Sequence, residues 1–284
     1  MRAPSVASCD GWRYSFGQSM SAASRVVVDV GDVPVVLQTT DAPLAALLER
    51  RFRRFLKPSA TPAFQFDITV VPASSQNGDA DIEVHAENGR WRLQRGDFSA
   101  SWDPDARHGW IRQTRSPYAV DSVLRIVHTL LLSKERGFLL HASSAVRNGR
   151  AFLFAGPSGS GKTTIVRSAP ADVVVLTDEI SYVRAMPDGY VAFGTPFAGE
   201  WAEVGEPLAA PVGGLFRLAW AADNSREPLD PATTVRTLMR NILFFANDPS
   251  LTKRLLDTAC DFAASVPAFR LAFAPDERVW DLIQ

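Results

Sequence analysis

The stretch GPSGSGKTT at residues 156–164 constrains this chain more than any other. Gly156, Gly161, Lys162 and Thr163 satisfy the pattern G-x-x-x-x-G-K-[ST], whose chemistry is direct. Glycines let the backbone turn sharply, so successive N–H groups point into one concavity. That concavity meets the start of a helix, where anionic phosphate is favoured. Lys162 is placed to reach the β- and γ-phosphates of a nucleoside triphosphate, and the Thr163 hydroxyl to ligate Mg²⁺. The run Gly156, Pro157, Ser158, Gly159, Ser160, Gly161, Lys162, Thr163 and Thr164 is therefore the candidate ATP-binding loop. At an average glycine usage of about 7%, a chance match in a chain of this length occurs roughly once in a hundred. The flanks sharpen the signal: an apolar strand, AFLFA at 151–155, leads in, and a short helical stretch leads out. The plain alternative is a Gly/Ser-rich connector that binds nothing.

Two further features stand near this loop in the sequence. Asp178 and Glu179 follow the β-branched run VVVL at 173–176, which reads as a fully buried strand. Carboxylates leaving such a strand beside the loop, in a parallel α/β arrangement, can hold Mg²⁺ or accept a proton from an incoming hydroxyl. Their plain alternative is a turn or helix-cap acid. His141, in LLHASSAV, lies on the strand that precedes the loop strand. A lone histidine there is either a satisfied core residue or a group facing the site.

The rest of the chain organises around these elements. Trp12, Tyr14 and Phe16 alternate as in a half-buried strand, and the runs 25–30 and 33–38 read as strands joined at Gly31-Asp32. Residues 43–56 have helical spacing with Pro43 in the first turn. Alternation returns at 64–71, and 73–81 reads as an exposed polar loop. Short strands follow near 82–86, 90–95, 97–102 and 109–114, with a hairpin signal at Asn88-Gly89. A helix at 118–137 is expected to end at Gly137. Strands at 138–147 and 151–155 join at Asn148-Gly149. Beyond the loop come a hairpin (180–194), a strand near 212–219, helices at about 232–246 and 249–264, a strand at 269–273 and a short terminal helix. The fold class is thus α/β: residues 1–116 form an α+β lobe built on an antiparallel sheet, and residues 117–284 a kinase-like domain around the loop.

Composition excludes several classes. With 30 basic and 31 acidic residues the formal net charge is −1, so no global field recruits nucleic acid or an anionic membrane. The arginines at 50, 51, 53 and 54 read as a solvated helix face. Two cysteines, Cys9 and Cys260, make neither a disulfide framework nor a metal site, which suits a reducing, cytoplasmic compartment. The first residues lack the apolar core of a signal peptide, and no stretch approaches the length of a membrane span. His85, His108 and His128 lack metal-ligand spacing, and Trp201, Trp220, Phe244 and Phe245 read as packing residues.

LLHASSAVRNGRAFLFAGPSGSGKTT followed by VVVLTDE resembles the catalytic core of HPr kinase/phosphorylase and its small relatives, among them kinases encoded beside modified-peptide clusters. It is also similar to the phosphate loop of ATP-dependent phosphoenolpyruvate carboxykinase. The specific part covers roughly 138–200; the likeness to the small relatives extends to GTPFAGE (194–200) and VPAFRLAF…VW (266–280). The resemblance implies a Ser/Thr-directed kinase using ATP and Mg²⁺, with Lys162 on the phosphates, Asp178 as general base or metal-linked acid, and His141 assisting Asp178. Thr163, Asp178, Glu179 and Glu200 are the metal candidates it implies. The chain departs from the bifunctional enzymes in its Asp-Glu pair, in Ala142 after the histidine, and in lacking their C-terminal signature. Phosphorolysis and HPr as acceptor are therefore not carried over. A peptide or protein acceptor fits the resemblance; the family's HPr kinases are hexamers, but nothing in the sequence demands a homo-oligomer. The alternative from another class is a nucleotide-binding regulatory or peptide-carrier module that transfers nothing.

Overall fold

In the computed structural model, residues 22–72, 81–197 and 205–284 are described. Expectations at Trp12, Tyr14, Phe16, the loop at 73–80, Glu200 and Trp201 lie outside them.

The chain begins with two valine-rich strands, β1 (Ser24–Val30) and β2 (Val33–Thr39), paired antiparallel. Gly31 and Asp32 both take positive φ in the turn between them. Helix α1 (Ala42–Arg51) follows; the Asp41 carboxylate caps it by accepting from Leu44 N at 2.8 Å. A 3₁₀ turn at Arg53–Phe55 replaces the last expected helical turn. Strand β3 (Phe64–Val70) then lies parallel to β2. A meander completes the sheet: β4 (Glu83–Glu87), β5 (Arg90–Arg95), β6 (Phe98–Asp103) and β7 (His108–Gln113). The order is β1-β2-β3-β7-β6-β5-β4, with β7 parallel to β3. The sheet is therefore mixed rather than antiparallel. The reason is α1: a helix between two strands carries the chain back to the starting end, so the next strand runs parallel.

Helix α2 (Pro117–Lys134), capped by Ser116, leads to the second sheet. It stops before Gly137. Arg136 takes the left-handed conformation (φ 55°), and Gly137 opens the long strand β8 (Gly137–Arg147). Asn148 and Gly149 (φ 51° and 73°) form a tight turn into β9 (Arg150–Ala155). The glycine-rich loop and a short helix α3 (Lys162–Arg167) follow. Then come β10 (Val174–Thr177), β11 (Ile180–Met186), β12 (Gly189–Phe193), β13 (Ala209–Trp220) and β14 (Ser225–Pro228). Helix α4 (Pro231–Asn241) ends earlier than its sequence suggests, because residues 242–243 become strand β15 (Ile242–Leu243), paired to β8. Helix α5 (Pro249–Ser265), β16 (Ala268–Phe273) and a 3₁₀ turn at Glu277–Leu282 complete the chain.

The architecture is mixed α/β, with two large sheets and a few helices. In the second sheet β8 pairs with β11 through its first half and with β9 and β10 through its second. Strand β9 also pairs parallel with β13, and β13 parallel with β16. Strand β9 is buried on both faces, which is why all of AFLFA is apolar. Phe152 and Phe154 pack with Ile165, Phe216 and Trp280, whereas Ala151, Leu153 and Ala155 pack toward Leu238, Leu255 and Phe262. VVVL is not fully buried: Val174 is exposed at a sheet edge. No described helix is long and apolar enough to cross a membrane.

One apolar core runs through α2 from the first sheet into the second, joining Phe64, Trp102 and Val127 to Leu139 and Tyr182. His128 sits inside it, edge-on to Tyr182 with ring centroids 5.5 Å apart, and neither ring nitrogen has a hydrogen-bond partner among the described residues. Burial pushes its pKa down to about 3. The folded chain therefore keeps His128 neutral while the unfolded chain protonates it below its ordinary pKa of about 6.5. The stability that this neutral histidine permits is complete above pH 6.5 and is lost as pH falls toward 3. We predict that urea unfolding at pH 8 and pH 5 shows the wild type losing about 2 kcal/mol more than His128→Leu, at 1.36 kcal/mol per pH unit below the unfolded pKa. Equal losses in the two proteins would exclude this role.

Candidate functional site

Directions of strands set the site. Strand β8 is antiparallel to both β9 and β10, so β9 and β10 run the same way with β8 between them. The loop after β9 and the acids after β10 therefore emerge at one end of the sheet. The expected neighbourhood is met, although the two strands are not adjacent and β10 is an edge strand.

The loop at 156–161 is closed by Ser160 N donating to Pro157 O at 3.1 Å, and turns at Gly159 (φ 76°) and Gly161 (φ 96°). Gly161 has a second constraint: a Cβ there would lie 2.6 Å from Phe273 and 2.9 Å from Trp220. The Lys162 ammonium donates to Gly156 O (3.0 Å) and Pro157 O (3.2 Å), which lays it along the loop rim. Ser143 on β8 donates its hydroxyl proton to Lys162 O at 2.8 Å and ties the start of α3 to the sheet. Inside the molecule, Ile165 and Val166 anchor α3, and the Trp280 indole donates to Ile165 O at 3.2 Å. Helix α3 has only six residues, so no long helix dipole points at the loop.

The acids are held by a turn. Thr177 Oγ1 accepts from Glu179 N and Ile180 N, both at 3.2 Å. The backbone of Gly205 runs so close to Leu176 O that a Cβ would sit 1.7 Å from it, closing the outer side of β10. Asp178 is buried and Glu179 half-buried. Pairing of β11 with β8 sets Ile180 opposite His141, bringing that histidine to the same mouth.

A cleft of about 300 Å³ is lined by His141, Ser158, Gly159, Gly161, Lys162, Thr163, Thr164, Asp178, Glu179 and Trp220. Nine of these ten are candidate site residues of the sequence; the tenth, Trp220, was expected only to pack. Gly156, Pro157 and Ser160 form the back of the loop instead; Ser160 is buried against Gly156. The Thr163 hydroxyl and the Asp178 and Glu179 carboxylates are hard oxygen donors sharing one cleft, a set that suits Mg²⁺ completed by phosphate oxygens. No group of three or more His, Cys, Asp or Glu side chains placed to hold a metal ion occurs among the described residues.

Three contributors were not legible beforehand. Trp220, expected as packing, is half exposed at the end of β13 and donates its indole proton to Gly159 O at 2.7 Å. Ser143 is the second. Arg125 on α2 is the third: its Nη2 donates to Glu179 Oε2 at 3.3 Å, and its guanidinium lies over the Phe197 ring. One turn earlier, Asp121 accepts from Arg51 Nε at 3.1 Å, so Arg51 is an inter-element anchor rather than part of a solvated face. The i, i+4 pair Asp121 and Arg125 inside an apolar stripe was the available sequence signal.

Charge balance follows from these contacts. Burial raises the Glu179 pKa above the carboxylate norm and Asp178 adds to this, while Arg125 opposes both. Burial lowers the His141 pKa below the usual imidazole value, helped by the Lys162 and Arg125 charges, so His141 is neutral at pH 7.

A model of the SynChlorMet cassette protein ScmC matches residues 115–284, more than half of the chain. The chain belongs to the ScmC family. Every described member of the cleft lies within the ScmC match, which begins in the turn leading into α2. A search of curated proteins finds no match to this ScmC-family chain.

We predict that Arg125→Met raises the titration midpoints of both Glu179 and His141, since removing a cation favours the more protonated state of each neighbour. Side-chain NMR titration of the variant checks this; midpoints unmoved at both residues would exclude the coupling.

Proposed function

We propose that this chain is an ATP- and Mg²⁺-dependent kinase that transfers the γ-phosphoryl group to a Ser or Thr hydroxyl of a peptide, protein or small molecule. The observation that carries this reading is the convergence of Lys162, Thr163, Asp178 and His141 on one cleft at the mouth of the glycine-rich loop. The resemblance to the HPr kinase core points the same way, and the sheet is read as its phosphate-loop core.

The chemistry asks mostly for positioning and charge neutralisation. Loop amides hold the β-phosphate, and Lys162 moves from the loop carbonyls to share the charge of the γ-phosphate. Thr163 and Asp178 or Glu179 would hold magnesium, which would supply neutralisation of phosphate charge. The acceptor oxygen forms the new P–O bond as the bond to the β-bridging oxygen breaks and ADP leaves. Asp178 accepts the hydroxyl proton, and neutral His141, which lines the same cleft, orients the carboxylate or relays that proton.

A second reading, a nucleotide-binding module without transfer, draws on one observation. Arg125 pairs with Glu179, which commits one of the two carboxylates to a structural contact. Labelled ATP separates the readings: label in an acceptor hydroxyl belongs to the kinase, binding without transfer to the module.

We predict that Lys162→Ala lowers ATP-dependent transfer at least a hundredfold, roughly the 2.7 kcal/mol or more lost when one transition-state donor is removed. The assay is transfer from γ-labelled ATP to a Ser/Thr peptide library. Full activity in the variant would exclude this site.

A further inference from the structure

The cleft has two unlike flanks. His141, Asp178 and Glu179 bring all its titratable groups other than Lys162 from one side. On the other side stands Trp220. Strand β13 is parallel to β9 with Arg217 level with Ala155, so its last residue, Trp220, reaches past the strand ends to the height of the loop. Phe273, ending the neighbouring β16, stacks against the indole with centroids 4.8 Å apart and planes 24° apart. The indole N–H is bonded to Gly159 O. The ring is thus fixed on two sides, yet it remains 49% exposed and lines the cleft.

A triphosphate held by the loop has a reacting end and a nucleoside end. Transfer places the γ-phosphate at Lys162 and Asp178, so the nucleoside leaves the loop on the opposite flank. We propose that Trp220 is the platform on which the nucleotide base stacks, making it a positioning and specificity residue that separates a nucleotide from a bare polyphosphate. This rests on the loop reading above. A rigid, exposed aromatic face matches a base because every base presents a π-face, and stacking of this kind strengthens binding by about tenfold or more. The bond to Gly159 gives the same side chain a hand in loop shape, so the test separates the two roles.

The experiment is calorimetric titration of the full chain with magnesium-ATP and with magnesium tripolyphosphate, for wild type, Trp220→Leu and Trp220→Phe. In wild type, ATP binds at least about tenfold more tightly than tripolyphosphate, although the latter carries at least as much charge. Trp220→Leu weakens ATP about tenfold and leaves tripolyphosphate within about twofold; Trp220→Phe, which keeps a ring but loses the bond to Gly159, holds ATP within about threefold. Equal weakening of both ligands in the Leu variant would reduce Trp220 to a loop buttress and overturn the platform, as would unchanged ATP binding. Should Trp220→Leu not fold, the wild-type comparison decides: tripolyphosphate binding as tightly as ATP overturns the platform while the loop reading stands. Wild type binding neither ligand overturns the loop reading itself and the platform with it.

Discussion

Backbone pairing along β8 is the constraint on which the rest of the site depends. Its eleven residues are bonded to β11 and β15 through the first half and to β9 and β10 through the second. That one strand sets the loop strand and the acid strand in the same direction, one on each side. It also carries His141 and supplies Ser143 to Lys162 O. A one-residue slip of β8 would turn its side chains to the opposite faces, sending His141 away from the cleft and Leu140 off the core face it shares with Phe138 and Ala142. The register is protected by burial: Phe138, Leu140 and Ala142 belong to the same core as Leu153 and Phe262.

Charge is distributed along α2 so that the first sheet reaches the site. Arg51 from α1 meets Asp121, and Arg125, one turn on, meets Glu179. Burial raises the Asp121 pKa, and Arg51 opposes it. Removing one member of such a pair leaves a buried charge without compensation, at a cost of about 3–5 kcal/mol, so the contact specifies how α1 and α2 dock. Its consequence for the cleft is that one carboxylate, Glu179, answers to the packing of α2, whereas Asp178 is positioned by the turn at Thr177.

Local chemistry was legible in the sequence, and long-range pairing was not. Asn88-Gly89 and Asn148-Gly149 turned as read, because positive φ at both residues is a property of the dipeptide. The motif at 156–164, the strand position of His141 and the strand-end position of the Asp178–Glu179 pair were readable locally, and most of these residues line one cleft. The parallel pairing of β3 escaped notice because alternation does not encode strand direction. Residues 242–243 continue a helical pattern and were claimed by β8, and Gly137 lost the expected capping role to Arg136. The site roles of Trp220 and Arg125 come from elements distant in the chain, Trp220's from the height of β13 beside the loop and Arg125's from α2 packing on β8, although the charged i, i+4 pair in an apolar stripe marked Arg125 as unusual.

The proposed function requires main-chain N–H groups of the glycine-rich loop to grip a phosphate chain together with Lys162. Amide hydrogen exchange of residues 158–164, measured with and without millimolar magnesium-ATP, tests it most directly. Bonds from those amides to phosphate slow their exchange at least about tenfold, with the first sheet unchanged. Loop amides that exchange at the same rate in both samples would contradict it.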